Sequence, residues 1–162
     1  LASGKPMVLD ADALNLIAKY TPRNVRISKN SVITPHPGEA GKLLNKTAAE
    51  INRDRPGAVK ALAKRYRSTA LLKGSGTLIK GETGMSLCPY GNPGMASGGM
   101  GDVLSGIIGG LMAQGLSAEK AARLGVCVHA KSADILAGTE GQRGLLATDL
   151  ISQARRLLNR VG

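Results

Sequence analysis

A chain of 162 residues is long enough for one domain with a sizeable core. Its 22 Lys and Arg against 11 Asp and Glu give a formal net charge of +11, so a polyanionic partner is the first to consider. The core must be built without Phe or Trp, and the least charged stretch, Pro89 to Lys120, is broken by Asp102, Glu119 and many glycines, which argues against a membrane span.

Along the chain, short apolar runs alternate with helical patterns. Met7-Val8-Leu9 reads as a strand that runs into Asp10, Asp12 and Asn15, with a short helix to Tyr20. Val32-Ile33-Thr34 reads as a second strand ending in Pro35-His36-Pro37, followed by a helix from Gly38 to Leu44. Arg53 to Arg67 reads as one amphipathic helix, with Val59, Leu62 and Tyr66 at helical spacing and Lys60, Lys64, Arg65 and Arg67 mostly off that face. Thr69 to Lys73 is a β-branched and leucine run. Thr77 to Ile79 and Met85 to Cys88 form a hairpin about Gly81-Glu82-Thr83-Gly84. Helices follow over Asp102 to Gln114, Ala118 to Ala137 and Thr148 to Val161, the last capped by Thr148.

This order predicts an α/β protein with a mainly parallel sheet covered on both faces by helices. Ligands of such sheets sit at the carboxyl ends of the strands. The polar and glycine-rich segments gather there: Asp10-Asp12-Asn15, Pro35 to Glu39, and Lys73-Gly74-Ser75-Gly76-Thr77. Leu1 falls inside a strand-entry segment, so the sheet is expected to be incomplete on its N-terminal side.

The basic charge itself decides little. The clusters Arg53 to Arg67 and Arg155 to Arg160 have no aromatic residues interleaved to stack on bases, and no nucleic-acid motif accompanies them. They read as solvated helix faces rather than a nucleic-acid surface. Leu1 to Pro6 does not read as a secretory leader, and Cys88 and Cys127 lack metal-ligand spacing, so reduced thiols in a cytoplasmic protein are expected. His129, beside Val126 and Val128, reads as a packed histidine without a catalytic role.

The strongest local signal is Gly91-Asn92-Pro93-Gly94-Met95-Ala96-Ser97-Gly98-Gly99-Met100-Gly101-Asp102, leading into the apolar helix that begins Val103-Leu104-Ser105-Gly106. Glycines let backbone N–H groups converge on a ligand without Cβ interference. At a helix start those donors are unpaired and the dipole favours an anion. Asp102 cannot bind the anion, but beside a bound phosphate it can take a proton from an attacking hydroxyl. The plainer role is an N-cap. Ser105, Gly106, Gly109 and Gly110 give the helix a small face for close packing, with Val103, Leu104, Ile107, Ile108 and Leu111 in the core.

Three motifs in order, Val8 to Asn15, Thr34-Pro35-His36-Pro37-Gly38-Glu39 and Gly91 to Gly106, closely resemble those of the nucleotide-dependent NAD(P)H-hydrate dehydratases, members of the ribokinase-like superfamily. The similarity runs over nearly the whole chain. It implies that residues 1–162 are the C-terminal part of one such domain, whose first strands and part of whose substrate pocket precede Leu1. It also implies a repair reaction. Hydrated NADH or NADPH is phosphorylated on its added hydroxyl by ATP or ADP, and loss of phosphate restores the nicotinamide ring.

Carried onto this chain, the resemblance makes Asp102 the base and a substrate contact, with Gly99, Met100 and Gly101 as the anion hole. Lys73, Gly74, Ser75, Gly76 and Thr77, with Gly101, hold the adenine nucleotide. His36 contacts the hydrated dinucleotide, and Glu39 matches the acidic residue that the superfamily ties to Mg²⁺ and phosphate. A homo-oligomer is the expected assembly.

Two other readings stand beside this one. A small-molecule alcohol kinase of the same superfamily, of thiazole or pyrimidine type, would keep Asp102 without a dinucleotide pocket; His36-Pro37-Gly38-Glu39 favours the dehydratase. A basic binding module without catalysis would have no use for the glycine loop and its aspartate.

Overall fold

The computed structural model describes residues 4–20 and 27–159. In chain order the elements are β1 (Met7–Leu9), α1 (Ala11–Tyr20), β2 (Ser31–Ile33), α2 (Pro37–Leu44), α3 (Ala48–Arg53), α4 (Arg55–Tyr66), β3 (Thr69–Leu72), β4 (Leu78–Lys80), β5 (Met85–Leu87), α5 (Met100–Ala113), α6 (Ala118–Glu140) and α7 (Asp149–Leu158). The five strands form one sheet in the order β1-β2-β3-β4-β5. The first three pair in parallel and the last two pairings are antiparallel, so only β4 runs against the others. The expected α/β architecture with a mainly parallel sheet is present, and the hairpin accounts for the reversed strand.

Strand alternation divides the apolar side chains between two layers. Ile33, Ala70, Leu72 and Leu78 pack with Leu14 and Ile17 of α1, Leu43 of α2, Ile51 of α3, and Val59 and Leu62 of α4. Val32, Leu71 and Ile79 face the other way, onto Leu104, Ile108 and Leu111 of α5 and Ala122 and Val126 of α6. Each fully buried Leu or Ile contributes roughly 1.5–3 kcal/mol of transfer free energy, so a core without large aromatics suffices in a three-layer sandwich. α5 packs closely on α6. A Cβ at Gly125 would lie 2.7 Å from Ile108 Cγ1, so only glycine allows this approach.

Three local expectations change. The basic helix starts at Arg55 rather than Arg53: Asp54 caps it, its Oδ1 accepting from Gly57 N at 2.8 Å, and a separate short helix that the sequence pattern did not indicate, α3, ends at Arg53. Thr148 makes no side-chain cap; Asp149 Oδ2 instead accepts from Leu146 N at 2.8 Å. The predicted end of α7 at Val161, like Arg160 of the second basic cluster, lies outside the described residues. The small face of α5 is only half used. Ser105 and Gly109 turn toward β1, whereas Gly106 and Gly110 are exposed and have nothing within 4 Å of a Cβ position among the described residues.

Both cysteines are free thiols. Burial pushes the Cys88 thiol up to about 11, with neighbouring Cys127 and Asp134 adding to the rise. A thiol so held is not a nucleophile at neutral pH. No helix among the described residues is long and apolar enough to cross a membrane.

Candidate active site

The carboxyl ends of β1, β2 and β3 are stitched together before any side chain acts. Thr34 donates from its backbone N to Leu9 O at 3.1 Å, and Lys73 N donates to Pro35 O at 2.9 Å. These bonds carry the parallel register one residue beyond the strands. They bring Asp10, His36 and Lys73 to one edge, facing the start of α5.

α5 begins two residues earlier than the hydrophobic pattern indicates. Gly99 is its N-cap, in the left-handed conformation (φ 84°), with no side-chain cap. Val103 N to Gly99 O, 3.0 Å, is the first bond of the helix. The N–H groups of Gly99, Met100, Gly101 and Asp102 therefore lack intrahelical acceptors, as an anion site requires. Asp102 occupies the third helical position. It is exposed and has no hydrogen-bond or ion-pair partner among the described residues, so it caps nothing.

Beside this helix start lies a cleft of about 460 Å³. One wall is Lys73 to Thr77; another is Met100, Gly101 and Leu104 of α5; Tyr90, Met95 and His129 close the far side. The nucleotide-binding segment expected from sequence and two of the three anion-hole residues thus meet across one cavity. Gly99, His36, Glu39 and Asp102 do not line it.

A polar chain joins His36 to the head of α5. His36 is the N-cap of α2: its Nδ1 accepts from Gly38 N at 3.0 Å and Glu39 N at 3.4 Å. Glu39 closes the capping box by accepting from His36 N at 2.8 Å. Nδ1 is thus an acceptor, while Nε2, on the exposed side of the ring, lies 3.5 Å from Glu39 Oε1. Glu39 is buried, with Oε2 3.9 Å from Lys73 Nζ. Lys73 in turn donates to Asp10 Oδ1 at 2.7 Å, and Ser105 of α5 donates to Asp10 Oδ2 at 3.0 Å. Burial works against the charge of Asp10, yet Lys73, with Thr34 and Ser105, holds its carboxyl below the ordinary range. A Cβ at Gly101 would lie 3.3 Å from Asp10 Oδ2 and 3.5 Å from Lys73 Nζ, so the helix start rests directly on this pair.

Asp10 and Ser105 are the site residues that sequence reasoning undervalued. Asp10 was legible as a carboxylate at a strand end, but its partners lie 63 and 95 residues away. Asp12, in the same polar segment, is exposed and holds no such position. The far wall is tied down by Asp134 of α6, which accepts from Gly91 N at 3.0 Å and Asn92 Nδ2 at 2.9 Å. His129 is buried, as expected of a packed histidine, but it also lines the cleft. Burial lowers it to about 4 against the opposing effect of a hydrogen bond with the Met100 backbone, so it is neutral at pH 7.

Comparison with known proteins gives the chain a family. A family model described as NAD(P)H-hydrate dehydratase matches residues 1–156. The bifunctional NAD(P)H-hydrate repair enzyme Nnr of Coxiella burnetii is 51% identical over 160 residues, 98% of this chain and 32% of its own length. The ADP-dependent (S)-NAD(P)H-hydrate dehydratase of Neisseria meningitidis is 42% identical over 161 residues, 97% of this chain and 54% of its own. The chain therefore spans between a third and somewhat over half of these relatives. Among solved structures, the ADP/ATP-dependent NAD(P)H-hydrate dehydratase of Bacillus subtilis, co-crystallized with ATP/Mg²⁺, superposes with a TM-score of 0.87 at 28% identity, covering 100% of this chain and 57% of that one. Phosphofructokinase-2 of Escherichia coli, at 17% identity and a TM-score of 0.61, shares the fold alone. The chain belongs to the NAD(P)H-hydrate dehydratase family.

Proposed function

We propose that this chain supplies the nucleotide-binding and phosphoryl-transfer half of an enzyme that repairs hydrated NADH and NADPH. The observation that carries the reading is the cleft between Lys73–Thr77 and the start of α5, with an uncommitted carboxylate, Asp102, one residue beyond its lining. An adenine nucleotide, ATP or ADP, lies in the cleft with its phosphates toward the unpaired N–H groups of Gly99, Met100 and Gly101. Tyr90 and Met95 offer an apolar surface at the opposite end for the base.

The hydrated nicotinamide approaches from the open side, between His36 and Asp102. Asp102 takes the proton of the added hydroxyl as that oxygen attacks the terminal phosphorus, and the bond to the leaving nucleotide oxygen breaks. The helix-start N–H groups stabilise charge on the transferred group. The phosphate then departs with the carbon–oxygen bond, and loss of a ring proton from the neighbouring carbon restores the double bond. Lys73 stays oriented by Asp10 and Glu39, with its ammonium available to the nucleotide phosphates.

Mg²⁺ is implied by the family. No three His, Cys, Asp or Glu side chains among the described residues gather as a metal site. Glu39 is committed to the His36 N–H and stands beside an ammonium. These residues do not fit a protein-built Mg²⁺ cage, and no step above runs through the ion. Glu39 is better read as the cap of α2 and a partner of Lys73.

The rest of the dinucleotide pocket is proposed to come from a preceding segment of the same domain. β1 lies at the sheet edge, Leu16 and Tyr20 of α1 are exposed, and Gly106 and Gly110 are uncovered, which suits further strands and helices docking on that side. The deciding experiment incubates the full-length protein with hydrated NADH and either ATP or ADP. Recovery of reduced-nicotinamide absorbance with release of phosphate is expected. Phosphorylation of a thiazole or pyrimidine alcohol without that recovery would replace this reading by the kinase.

A further inference from the structure

Arg55, the first residue of α4, has surroundings unlike those of any other arginine described here. Its guanidinium donates to three backbone carbonyls of the segment at the cleft: Leu72 O at 3.2 Å, Lys73 O at 3.3 Å and Gly76 O at 3.0 Å. It has no carboxylate partner among the described residues. A cation at a helix N-terminus opposes the dipole, and this one is also partly desolvated, which lowers its affinity for the proton. Stability of α4 does not call for a positive charge here, since Asp54 already caps the helix.

The loop is built around this side chain. Gly74 has φ 140°, and a Cβ there would lie 2.6 Å from Arg55 Nη1. Arg55 does not line the cleft, whereas Gly74, Ser75 and Gly76 do. Arg55 thus holds the carbonyls of Leu72, Lys73 and Gly76, and the N–H groups of Gly74, Ser75 and Gly76 stay without an acceptor among the described residues.

We propose that Arg55 is a positioning residue for the adenine nucleotide: it fixes the carbonyls of Leu72, Lys73 and Gly76 on the far side of the loop, so that the Gly74–Gly76 amides stay presented to nucleotide phosphate. The planar fork of a guanidinium can span three carbonyls, which a lysine ammonium on this backbone cannot do. The inference rests on the nucleotide reading of the cleft and adds the residue that holds it ready.

The test uses the full-length protein with Arg55→Lys and Arg55→Ala. Calorimetric titration with ADP and ATP gives Kd, and steady-state assays give KM for nucleotide and for hydrated NADH separately. Both variants should weaken nucleotide binding by roughly tenfold or more, as expected for losing hydrogen bonds to a charged group. The KM for hydrated NADH should stay unchanged, and added methylguanidinium should restore nucleotide affinity to Arg55→Ala but not alter the wild type. Wild-type nucleotide affinity in Arg55→Lys would overturn the inference. So would an equal rise in both KM values, which would mark a general structural role. If Arg55→Ala does not fold, Arg55→Lys decides alone. Failure of the wild type to bind either nucleotide would instead remove the functional reading beneath it.

Discussion

Lys73 Nζ stands 2.7 Å from Asp10 Oδ1, and this pair joins the ends of β1 and β3 directly beneath the first turn of α5. It is mostly buried, and Asp10 is satisfied further by Ser105 and Ala11 N. Removing one partner of such a pair leaves a poorly solvated charge, so the two substitutions should not add. A double-mutant cycle with Asp10→Asn and Lys73→Met, read by urea unfolding, should give a coupling of roughly 0.5–3 kcal/mol. The Asp10 carboxyl titrates below its unfolded value, so its contribution is present above about pH 4 and lost as pH falls through the lowered folded value. Asp10→Asn should therefore flatten the acid limb of the stability curve. Additive effects and an unchanged acid limb would show that the pair is incidental.

Asp102→Asn preserves shape at an exposed position with no partner to lose. The melting temperature should not move, while turnover falls by about 10² to 10⁴-fold, the usual contribution of a general base. Gly101→Val tests the donors beside it. The added side chain would crowd Asp10 Oδ2 and Lys73 Nζ, and losing one oriented donor costs roughly 3 kcal/mol in the transition state. Turnover at the wild-type rate in either variant would remove that group from the chemistry.

The sheet, the hairpin and every helix except α3 could be read from apolar periodicity, because β2 and β3 are buried on both faces and the helices bury one. What could not be read was capping and convergence. Asp54 moves the start of the basic helix to Arg55 because its carboxylate reaches Gly57 N, a choice that periodicity does not register. Gly99 moves the start of α5 two residues upstream of Asp102 because a left-handed residue, not a side chain, makes the cap. The loops at Lys73 and Gly101 announced themselves by glycine. Asp10 and Arg55 did not, since their meaning lies in partners 63 and about 20 residues away rather than in neighbours.

His36 has two duties that one substitution can confuse. Its Nδ1 caps α2, so His36→Ala should cost about 1 kcal/mol of stability through the cap alone. Asn is also a good cap but lacks the outward ring edge. If that edge serves the dinucleotide, His36→Asn should melt like the wild type and still raise the KM for hydrated NAD(P)H more than the KM for nucleotide. A normal KM for hydrated NAD(P)H in His36→Asn would assign the residue to the helix cap only.

His129 gives the protein a second pH dependence, in a different window from Asp10. Burial between the start of α5 and the cleft wall holds it at about 4, against an ordinary 6.5, and its Nε2 has no partner among the described residues. Between those values the unfolded chain binds a proton that the folded chain refuses, so stability falls as pH drops from 6.5 to 4 and levels off below. The difference corresponds to roughly 3 kcal/mol, at 1.36 kcal/mol per pKa unit. His129→Gln keeps a donor for the Met100 backbone but does not titrate. Its urea midpoint should therefore decline less than that of the wild type between pH 7 and 4, and run parallel to it above pH 7. Parallel curves over the whole range would show that His129 accepts its proton without unfolding, through a route from the cleft that brings solvent to the ring.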